Sequence, residues 1–378
     1  MRIGINALYL LPGKVGGSET YVRNLVKWLP RAAPSNEYVI FINRESAGVF
    51  EGLAPGAKIV ECPINATNRA FRILWEQIAL PFQAAKHRID ILLSAGMTAP
   101  FFSPVPSIVV IYDLQHINQP ENFKRWYLLF LKSIIYLSAK RSDGVITLSR
   151  KSKEDIERYY NIRPGNIGVT YMASDSEAFY KRSAAEVASV RKKYGLPESF
   201  ILYIASSLPH KNYIRLLTAF KSVRGTLRGT KLVLIGARDY GHDAIAAKIS
   251  ELGLTDDVIL LGWLPFEDIP LIYSASELFV FPSLHEGFGI PVVEAFACGV
   301  PVVCSKIEPL VEVAGGAAYL VDPLSPDDMA GGMLKVIMDG PLRERLVRDG
   351  LKRAAHFSWE KTASATLSIM SGYLKGRK

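Results

Sequence analysis

Short apolar runs alternate with longer amphipathic stretches through most of the 378-residue chain. In the first half this pattern predicts six strands, at residues 2–8, 38–42, 57–62, 89–93, 107–112 and 144–148. The stretches between the strands repeat apolar residues at helical spacing, and the first of them, residues 18–29, has Ser18 as its predicted N-cap. Strands that alternate with helices indicate βαβ units and a parallel sheet.

The same rhythm restarts after a polar stretch at residues 173–183. It predicts five further strands, at residues 200–205, 231–235, 258–261, 278–281 and 301–304. We therefore predict an α/β protein with two Rossmann-like, doubly wound domains that face a cleft. The predicted domains are residues 1–175 and 176–358, followed by one or two helices in residues 359–378. In such sheets ligands bind beyond the carboxyl ends of the strands.

Composition excludes several other classes of protein. With 49% hydrophobic and 21% charged residues, the chain has too many apolar side chains for a disordered protein. Its three cysteines, Cys62, Cys298 and Cys304, form no CxxC pair, so neither a disulfide framework nor a structural zinc site is expected. The apolar N-terminal run leads into Pro12 and Gly13 rather than a cleavage site, and no later stretch is long enough to span a membrane. These features predict a soluble, cytoplasmic protein.

Most of the net charge of +9 lies in the first half of the chain. Residues 1–182 carry 23 basic and 15 acidic side chains. A basic surface attracts anions such as acidic lipid headgroups or phosphorylated substrates. A modest excess of charge can also serve solubility alone, and the count does not separate the two. No nucleic-acid-binding motif is found, so nucleic acid is not an expected partner.

Residues 123–137 form one amphipathic stretch with two interpretations. Phe123, Trp126, Phe130, Ile134 and Leu137 recur at helical spacing, with lysines and arginines around them. A helix with aromatic residues and cations suits a membrane surface. Its narrow polar face, however, favours a helix buried in the core.

Residues 278–301 predict a strand, a glycine-containing turn and a short helix. Pro291 suits the first helical position, while Gly299 and Pro301 suit its end. Gly287 and Gly289 then lie where backbone N–H groups point out of a helix N-terminus, which is a favourable place for an anion.

Two carboxylates border this turn. Glu286 precedes the helix, and Glu294 is predicted in its first turn. Carboxylates bind hydroxyl groups and repel phosphate, so the ligand that suits both features is a nucleotide sugar. A glycosidase pair is an alternative use of two carboxylates, and a Glu near a helix start also stabilises the helix by itself.

Glu286 and Glu294 are separated by seven residues. The motif resembles the E-x7-E signature of retaining glycosyltransferases of family 4, which have the GT-B fold. The resemblance extends over nearly the whole chain and is strongest over residues 258–303. Gly16 and Gly17 resemble the N-terminal glycine loop of the family, which implies a place among the donor-binding residues. Residues 359–363 resemble the start of its last helix, which crosses back onto the first domain.

The resemblance implies roles for the residues of the motif. Glu294 matches the residue that holds the ribose hydroxyls, and Glu286 matches the one that contacts the donor sugar. The backbone N–H groups of Gly287, Phe288 and Gly289 would then meet sugar and phosphate oxygens.

The resemblance also implies a catalytic cation. Lys211 matches the lysine that neutralises the departing diphosphate, and a cation there would stabilise charge that grows in the transition state. Ser206 stands where the family often has an arginine, so phosphate binding would depend more on Lys211 and the glycine amides.

The first domain has a departure from the family at the end of a strand. The family usually has a histidine before Asp113, and this chain has Tyr112. We expect Asp113 to be a polar contact in the site. His116 could replace the missing histidine only if its loop folds back, and both remain candidate catalytic residues.

The resemblance, together with these features, implies a retaining hexosyltransferase. GDP-mannose is the expected donor, because residues 261–289 look most like bacterial mannosyltransferases of surface-polysaccharide assembly. A glycan or a lipid-diphosphate-linked molecule is the expected acceptor, with peripheral association through the basic first domain at the inner face of the membrane. UDP-sugars remain possible, as do a non-catalytic nucleotide-sugar-binding protein and an epimerase. No Asp-x-Asp pair ends a strand, so we predict a reaction without metal or other cofactor.

Overall fold

The computed structural model describes residues 1–236 and 241–375, which divide into two compact units. The first unit combines Met1–Met172 with Trp359–Lys378, and the second is Ala173–Ser358. Each unit contains one parallel β-sheet with helices on its faces.

The first unit has a seven-stranded sheet in the order β3-β2-β1-β4-β5-β6-β7. Its strands are β1 Arg2–Asn6, β2 Glu37–Ile42, β3 Lys58–Glu61, β4 Ile91–Ser94, β5 Ser107–Val110, β6 Gly144–Thr147 and β7 Ile167–Val169. Its helices are α1 Gly17–Ala32, α2 Arg69–Lys86, α3 Gln115–Asn118, α4 Arg125–Arg141 and α5 Arg150–Tyr160.

The second unit has a six-stranded sheet in the order β10-β9-β8-β11-β12-β13. Its strands are β8 Phe200–Ile204, β9 Lys231–Ile235, β10 Val258–Leu260, β11 Leu278–Phe281, β12 Val302–Ser305 and β13 Tyr319–Val321. Its helices are α6 Ala184–Tyr194, α7 Tyr213–Val223, α8 His242–Glu251, α9 Ile269–Ala275, α10 Ile290–Ala297, α11 Glu308–Ala314, α12 Pro326–Met338 and α13 Gly340–His356.

The strand orders explain where a ligand would bind. In both sheets the chain first builds outward in one direction from the initial strand and then in the other, so the order reverses between β1 and β4 and between β8 and β11. This is the doubly wound topology, in which ligands bind at the reversal point beyond the carboxyl ends of the strands. Strands β8 and β11 consist of aliphatic and aromatic residues, and β1 is buried from Ile3 to Asn6, as expected of parallel sheets covered on both faces. The predicted fold class is therefore confirmed.

The sequence pattern failed at three local points. Strands β7 and β13 were not predicted, because each has only three residues and is partly buried. The predicted N-cap Ser18 lies inside α1, whose N-cap is Gly16, and its Oγ donates to the carbonyl of Val15 at 2.9 Å.

Helix α4 is not the core helix that we favoured. Ile134 and Ile135 pack into the core with Ile73 of α2, but Trp126 is 70% exposed and Leu129 is 68% exposed. Within the described ranges 1–236 and 241–375, no helix is long and apolar enough to cross a membrane.

The last described helix, α14 Trp359–Lys375, belongs to the first unit and packs along α1. Trp359 and Met370 are buried, and the hydroxyl of Thr362 donates to the carbonyl of Tyr171 at 2.6 Å. The first unit is thus completed by a segment that follows the whole of the second unit in the sequence.

Candidate active site

The loop after β8 holds Lys211 at the reversal point of the second sheet. Pro209–Lys211 form a single 3₁₀ turn, and Asn212 follows in the left-handed conformation at φ 63°. The buried Nδ2 of Asn212 donates to the carbonyls of Pro282, at 2.9 Å, and Pro323, at 2.7 Å. Because Pro282 directly follows β11, these hydrogen bonds fix Lys211 beside the end of the neighbouring strand.

Lys211 and Glu286 form an ion pair. The distance from Lys211 Nζ to Glu286 Oε1 is 2.5 Å, and their side chains are 16% and 12% exposed. The ammonium group also lies 5.6 Å from the centre of the Phe281 ring, a cation–π contact. The pair brings together two residues that are 75 positions apart and that the sequence assigned to one site.

The turn between Glu286 and α10 requires glycine at its last position. Gly289 is the N-cap of α10 with φ 97°, and a Cβ atom there would lie 2.3 Å from Leu310 Cδ2. Phe288 is buried against the ring of Phe357 and anchors the turn in the core. The backbone of residues 287–289 is thereby held at the positive end of the α10 dipole.

Glu294 lies in the second turn of α10, not in the first turn as we predicted. The hydroxyl of Tyr273 in α9 donates to Glu294 Oε2 at 3.2 Å. Burial among apolar groups raises the pKa of Glu294 to about 7, although the Tyr273 hydrogen bond acts in the opposite direction. This carboxyl group therefore changes its charge near neutral pH.

A crevice lies in the same unit at the carboxyl ends of β8, β9 and β10. Its wall includes Ser207, Tyr213, Ile235, His242 and Leu260. Ser206, a predicted donor-binding residue, is partly buried in the loop that reaches this crevice. Ser207 and Tyr213 flank the Lys211 turn in sequence, so one segment contributes both to this turn and to the wall of the crevice.

The other predicted site residues belong to the first unit. Gly16, with φ 56° and ψ −130°, is the N-cap of α1, and Gly17 is the first residue of the helix. Both glycines are exposed, and a Cβ atom at either would meet no atom within 4 Å. Packing inside this unit therefore does not require glycine there, although the backbone of Gly16 favours it.

Asp113 and His116 lie in the segment after β5. Asp113 Oδ1 accepts a hydrogen bond from the backbone N–H of Gln115 at 2.9 Å. His116 is 3% exposed, and its Nε2 lies 2.9 Å from the Tyr160 hydroxyl. The His116 ring therefore links α3 to α5, and its catalytic role stays a prediction, as does that of Asp113.

Tyr112, which replaces the family histidine, joins three loops at the strand ends of the first sheet. Its hydroxyl donates to the carbonyl of Ala95 at 2.6 Å and lies 3.1 Å from the Tyr9 hydroxyl. The Tyr9 hydroxyl donates to the carbonyl of Ser18 in α1 at 2.8 Å. Burial raises the pKa values of Tyr9 and Tyr112 above the usual tyrosine range, so both hydroxyls stay neutral. Tyr112 therefore acts as a neutral brace between these loops.

The structure adds two residues that sequence analysis missed. Asn212 positions Lys211, and Tyr273 contacts Glu294. Asn212 could have been detected in the sequence, because it is a polar residue directly after Pro-His-Lys and before a helix. Tyr273 gives no such signal, because it lies in an apolar helix 21 residues before its partner.

Among residues 1–236 and 241–375, no three His, Cys, Asp or Glu side chains converge as metal ligands. The prediction of a metal-independent reaction stays a prediction.

Comparison with known families assigns both halves of the chain. Residues 187–353 match the family described as glycosyl transferases group 1, and residues 15–177 match glycosyltransferase family 4.

Several curated relatives are bacterial mannosyltransferases. The chain is 33% identical over 265 residues to O-antigen chain mannosyltransferase B of Escherichia coli, with 69% of each chain covered. It is 27% identical over 286 residues to the serotype-specific mannosyltransferase WbdA of the same species. The second match covers 73% of this chain but only 34% of WbdA.

Solved structures share the fold at low sequence identity. Sucrose-phosphate synthase of Thermosynechococcus elongatus superposes with a TM-score of 0.81 at 19% identity, covering 100% of both chains. HepE of Anabaena, in complex with UDP and glucose, superposes with a TM-score of 0.79 at 21% identity. This match covers 98% of the present chain and 100% of the HepE chain. The two parallel-sheet units, the two family matches and the solved structures all indicate the same family. The chain therefore belongs to glycosyltransferase family 4, with the GT-B fold.

Proposed function

We propose that the protein is a retaining glycosyltransferase that moves mannose from GDP-mannose to a glycan or lipid-linked acceptor in surface-polysaccharide assembly. The second unit binds the donor, and the basic first unit binds the acceptor. The observation that carries this proposal is the Lys211–Glu286 pair, held at the reversal point of the second sheet beside the N-terminus of α10.

The chemistry of this corner suits a sugar diphosphate. Lys211 and the α10 N-terminus favour the diphosphate, whereas Glu286 and Glu294 accept hydrogen bonds from hydroxyl groups. As the sugar–phosphate bond breaks, negative charge grows on the departing diphosphate, and Lys211 stabilises it there. We assign no side chain as nucleophile. The acceptor hydroxyl attacks from the face that the diphosphate leaves, through an oxocarbenium-like state.

The choice of mannose rests on the relatives, because the E. coli proteins matched at 33% and 27% identity are mannosyltransferases. A thermal-shift screen of GDP-, UDP- and ADP-sugars tests it. A donor at 100 times its Kd adds about 2.7 kcal/mol to the free energy of unfolding, and GDP-mannose should give the largest shift. A larger shift with a UDP-sugar would show that the donor is a UDP-sugar rather than GDP-mannose. If no sugar nucleotide shifted the transition, the proposed donor site would be rejected.

Lys211→Ala tests the catalytic cation. Removing one donor to a developing oxyanion costs roughly 10²–10³ in rate, so turnover should fall by about that factor. The matched control is Lys335→Ala, because Lys335 also pairs with a carboxylate, Asp339 at 2.9 Å, but lies in the last turn of α12. The control should keep the turnover of the wild type. A loss of less than roughly threefold for Lys211→Ala would reject the assigned role.

Metal independence is tested separately with a chelator. We expect transfer from GDP-mannose to continue at the same rate after exhaustive treatment with EDTA. If EDTA abolishes transfer and magnesium or manganese restores it, the proposed reaction without metal is wrong.

A further inference from the structure

Helix α2 presents apolar side chains to solvent and buries charged ones. Phe71, Leu74, Ile78 and Phe82 recur every three or four residues along its outer face, and Phe82 is 73% exposed. On the opposite face Arg72 and Glu76 form a buried ion pair at 2.8 Å. Ile73, Leu80 and Ala84 of α2 are buried as well. The helix thus has apolar side chains on its outer side in addition to its core side, whereas the outer side of an ordinary surface helix is polar.

Helix α4 has an outer face of the same kind. Trp126, Leu129, Phe130 and Leu137 are all exposed, while its inner residues pack in the core. Between the two helices in sequence, Phe102 lies on a loop with 76% of its surface exposed.

These surfaces adjoin one another. Ile73 of α2 and Ile134 of α4 share one core cluster, and Arg69 at the start of α2 contacts the hydroxyl and ring of Tyr127 in α4. Arg141, at the end of α4, lies 5.6 Å from the centre of the Phe102 ring. We refer to the combined surface as the outer face, defined by the exposed residues Phe71, Leu74, Ile78, Phe82, Phe102, Trp126, Leu129 and Phe130.

Cations border the outer face. Exposed basic residues stand at both ends of α4, namely Lys124, Arg125, Lys140 and Arg141. Helix α4 contains no acidic residue, and the single carboxylate of α2, Glu76, is buried. Within α2 and α4 the face therefore combines aromatic and aliphatic side chains with an excess of positive charge.

We propose that the outer face binds the surface of an anionic lipid bilayer. Aromatic and aliphatic side chains at the headgroup boundary bury apolar area, while lysine and arginine attract anionic headgroups, each contributing about 1 kcal/mol near such a surface. The stems of these long side chains also allow the charge to remain in water. The protein thus rests on the bilayer through one unit.

The charge of the face argues against a second copy of the chain as its partner. In a twofold dimer the same surface faces itself, so the cations of α4 would meet one another, and neither α2 nor α4 supplies an exposed carboxylate to pair with them. A bilayer with anionic headgroups supplies the missing negative charge together with an apolar layer. This inference goes beyond the transfer reaction and does not require it.

Vesicle flotation tests the proposal with the whole chain. The vesicles contain phosphatidylcholine alone or an equimolar mixture with phosphatidylglycerol. The wild type should float with the mixed vesicles, and binding should weaken as salt screens the charges. Phe82→Ser combined with Trp126→Ser should lower the partition at least about tenfold, because two large side chains no longer bury apolar area.

Two further variants separate the contributions. Lys124→Gln combined with Arg125→Gln should weaken binding to the mixed vesicles about fivefold per cation, with no effect on neutral ones. Met338→Ser removes an apolar side chain that is 67% exposed in the second unit, and it should bind vesicles as the wild type does. All five substituted side chains are exposed, so thermal unfolding should change little.

Three results would overturn the proposal. Equal binding to both kinds of vesicle would reject the role of the cations. Absence of vesicle binding, while GDP-mannose still stabilises the protein, would reject the lipid surface and leave the donor site standing. Dimers in analytical ultracentrifugation that the Phe82 and Trp126 substitutions dissociate, without vesicle binding, would show that a second copy covers the face. Conversely, vesicle binding without stabilisation by any sugar nucleotide would support the surface and reject the transferase.

Discussion

Glu294 makes the predicted donor site sensitive to pH. Its pKa is raised to about 7 because burial disfavours the charged carboxylate. A carboxylate accepts hydrogen bonds from two ribose hydroxyls, whereas the protonated form has less capacity to accept them. Because the folded pKa is above the usual value, the binding-competent form is lost as the pH falls through 7.

We therefore expect the affinity for GDP-mannose to fall about tenfold between pH 8 and pH 6. Isothermal titration calorimetry measures this with the nucleotide sugar rather than GDP, whose terminal phosphate itself titrates near pH 6. Glu294→Gln should bind weakly and show no pH dependence across the same interval. An equal pH dependence in wild type and variant would contradict this account of Glu294.

Tyr273→Phe refines the same prediction. The Tyr273 hydroxyl lowers the Glu294 pKa by donating to its carboxylate, so its removal should move the midpoint of the binding profile to higher pH. A profile that does not move would show that the hydrogen bond contributes little to this titration.

At the scale of single elements, the sequence predicted central strands better than short or unusual ones. Apolar runs of four or more residues, such as β8 and β11, have few alternatives in a soluble α/β chain. Strands β7 and β13 are held by their neighbours in the sheet, and no local pattern of three residues can indicate that.

Helices α2 and α4 show a different limit of prediction from the sequence. Helical periodicity identifies a helix with an apolar side but does not reveal which side meets the core. In α2 the core takes Arg72 with Glu76, and this pair depends on Thr98, whose hydroxyl lies 3.0 Å from Arg72 Nη1. This contact with a distant loop cannot be read from the local pattern, so the exposed apolar face became visible only in three dimensions.

In the candidate site, too, local motifs were predicted from the sequence, whereas contacts between separate segments were not. The glycine turn, Glu286 and Glu294 were identified by a motif of fixed spacing, whereas Lys211 was assigned only through the resemblance to the family. The Lys211–Glu286 pair and the contact of Tyr273 with Glu294 join separate segments. Spacing along the chain cannot place such partners.

At the scale of the whole molecule, the first unit is formed by two segments of the chain that lie on either side of the second unit in the sequence. Residues 1–172 precede the second unit, but α14 follows it and packs against α1. The ring of Trp359 packs at 6.1 Å, edge-on, against Tyr21 of α1, and Met370 is fully buried. The stability of the first unit thus depends on residues that follow the second unit in the sequence.

Met370→Ala should destabilise the first unit by about 2–5 kcal/mol, the usual cost of truncating a buried methionine to alanine. Calorimetry with and without GDP-mannose measures this, since the donor should raise the transition of the second unit alone. Met370→Ala should then lower the transition that the donor does not raise. Glu360→Ala is the control, because Glu360 is exposed on the same helix and should leave both transitions in place. If Met370→Ala lowered both transitions equally, the two units would unfold together, and the dependence on α14 would belong to the whole chain rather than to the first unit.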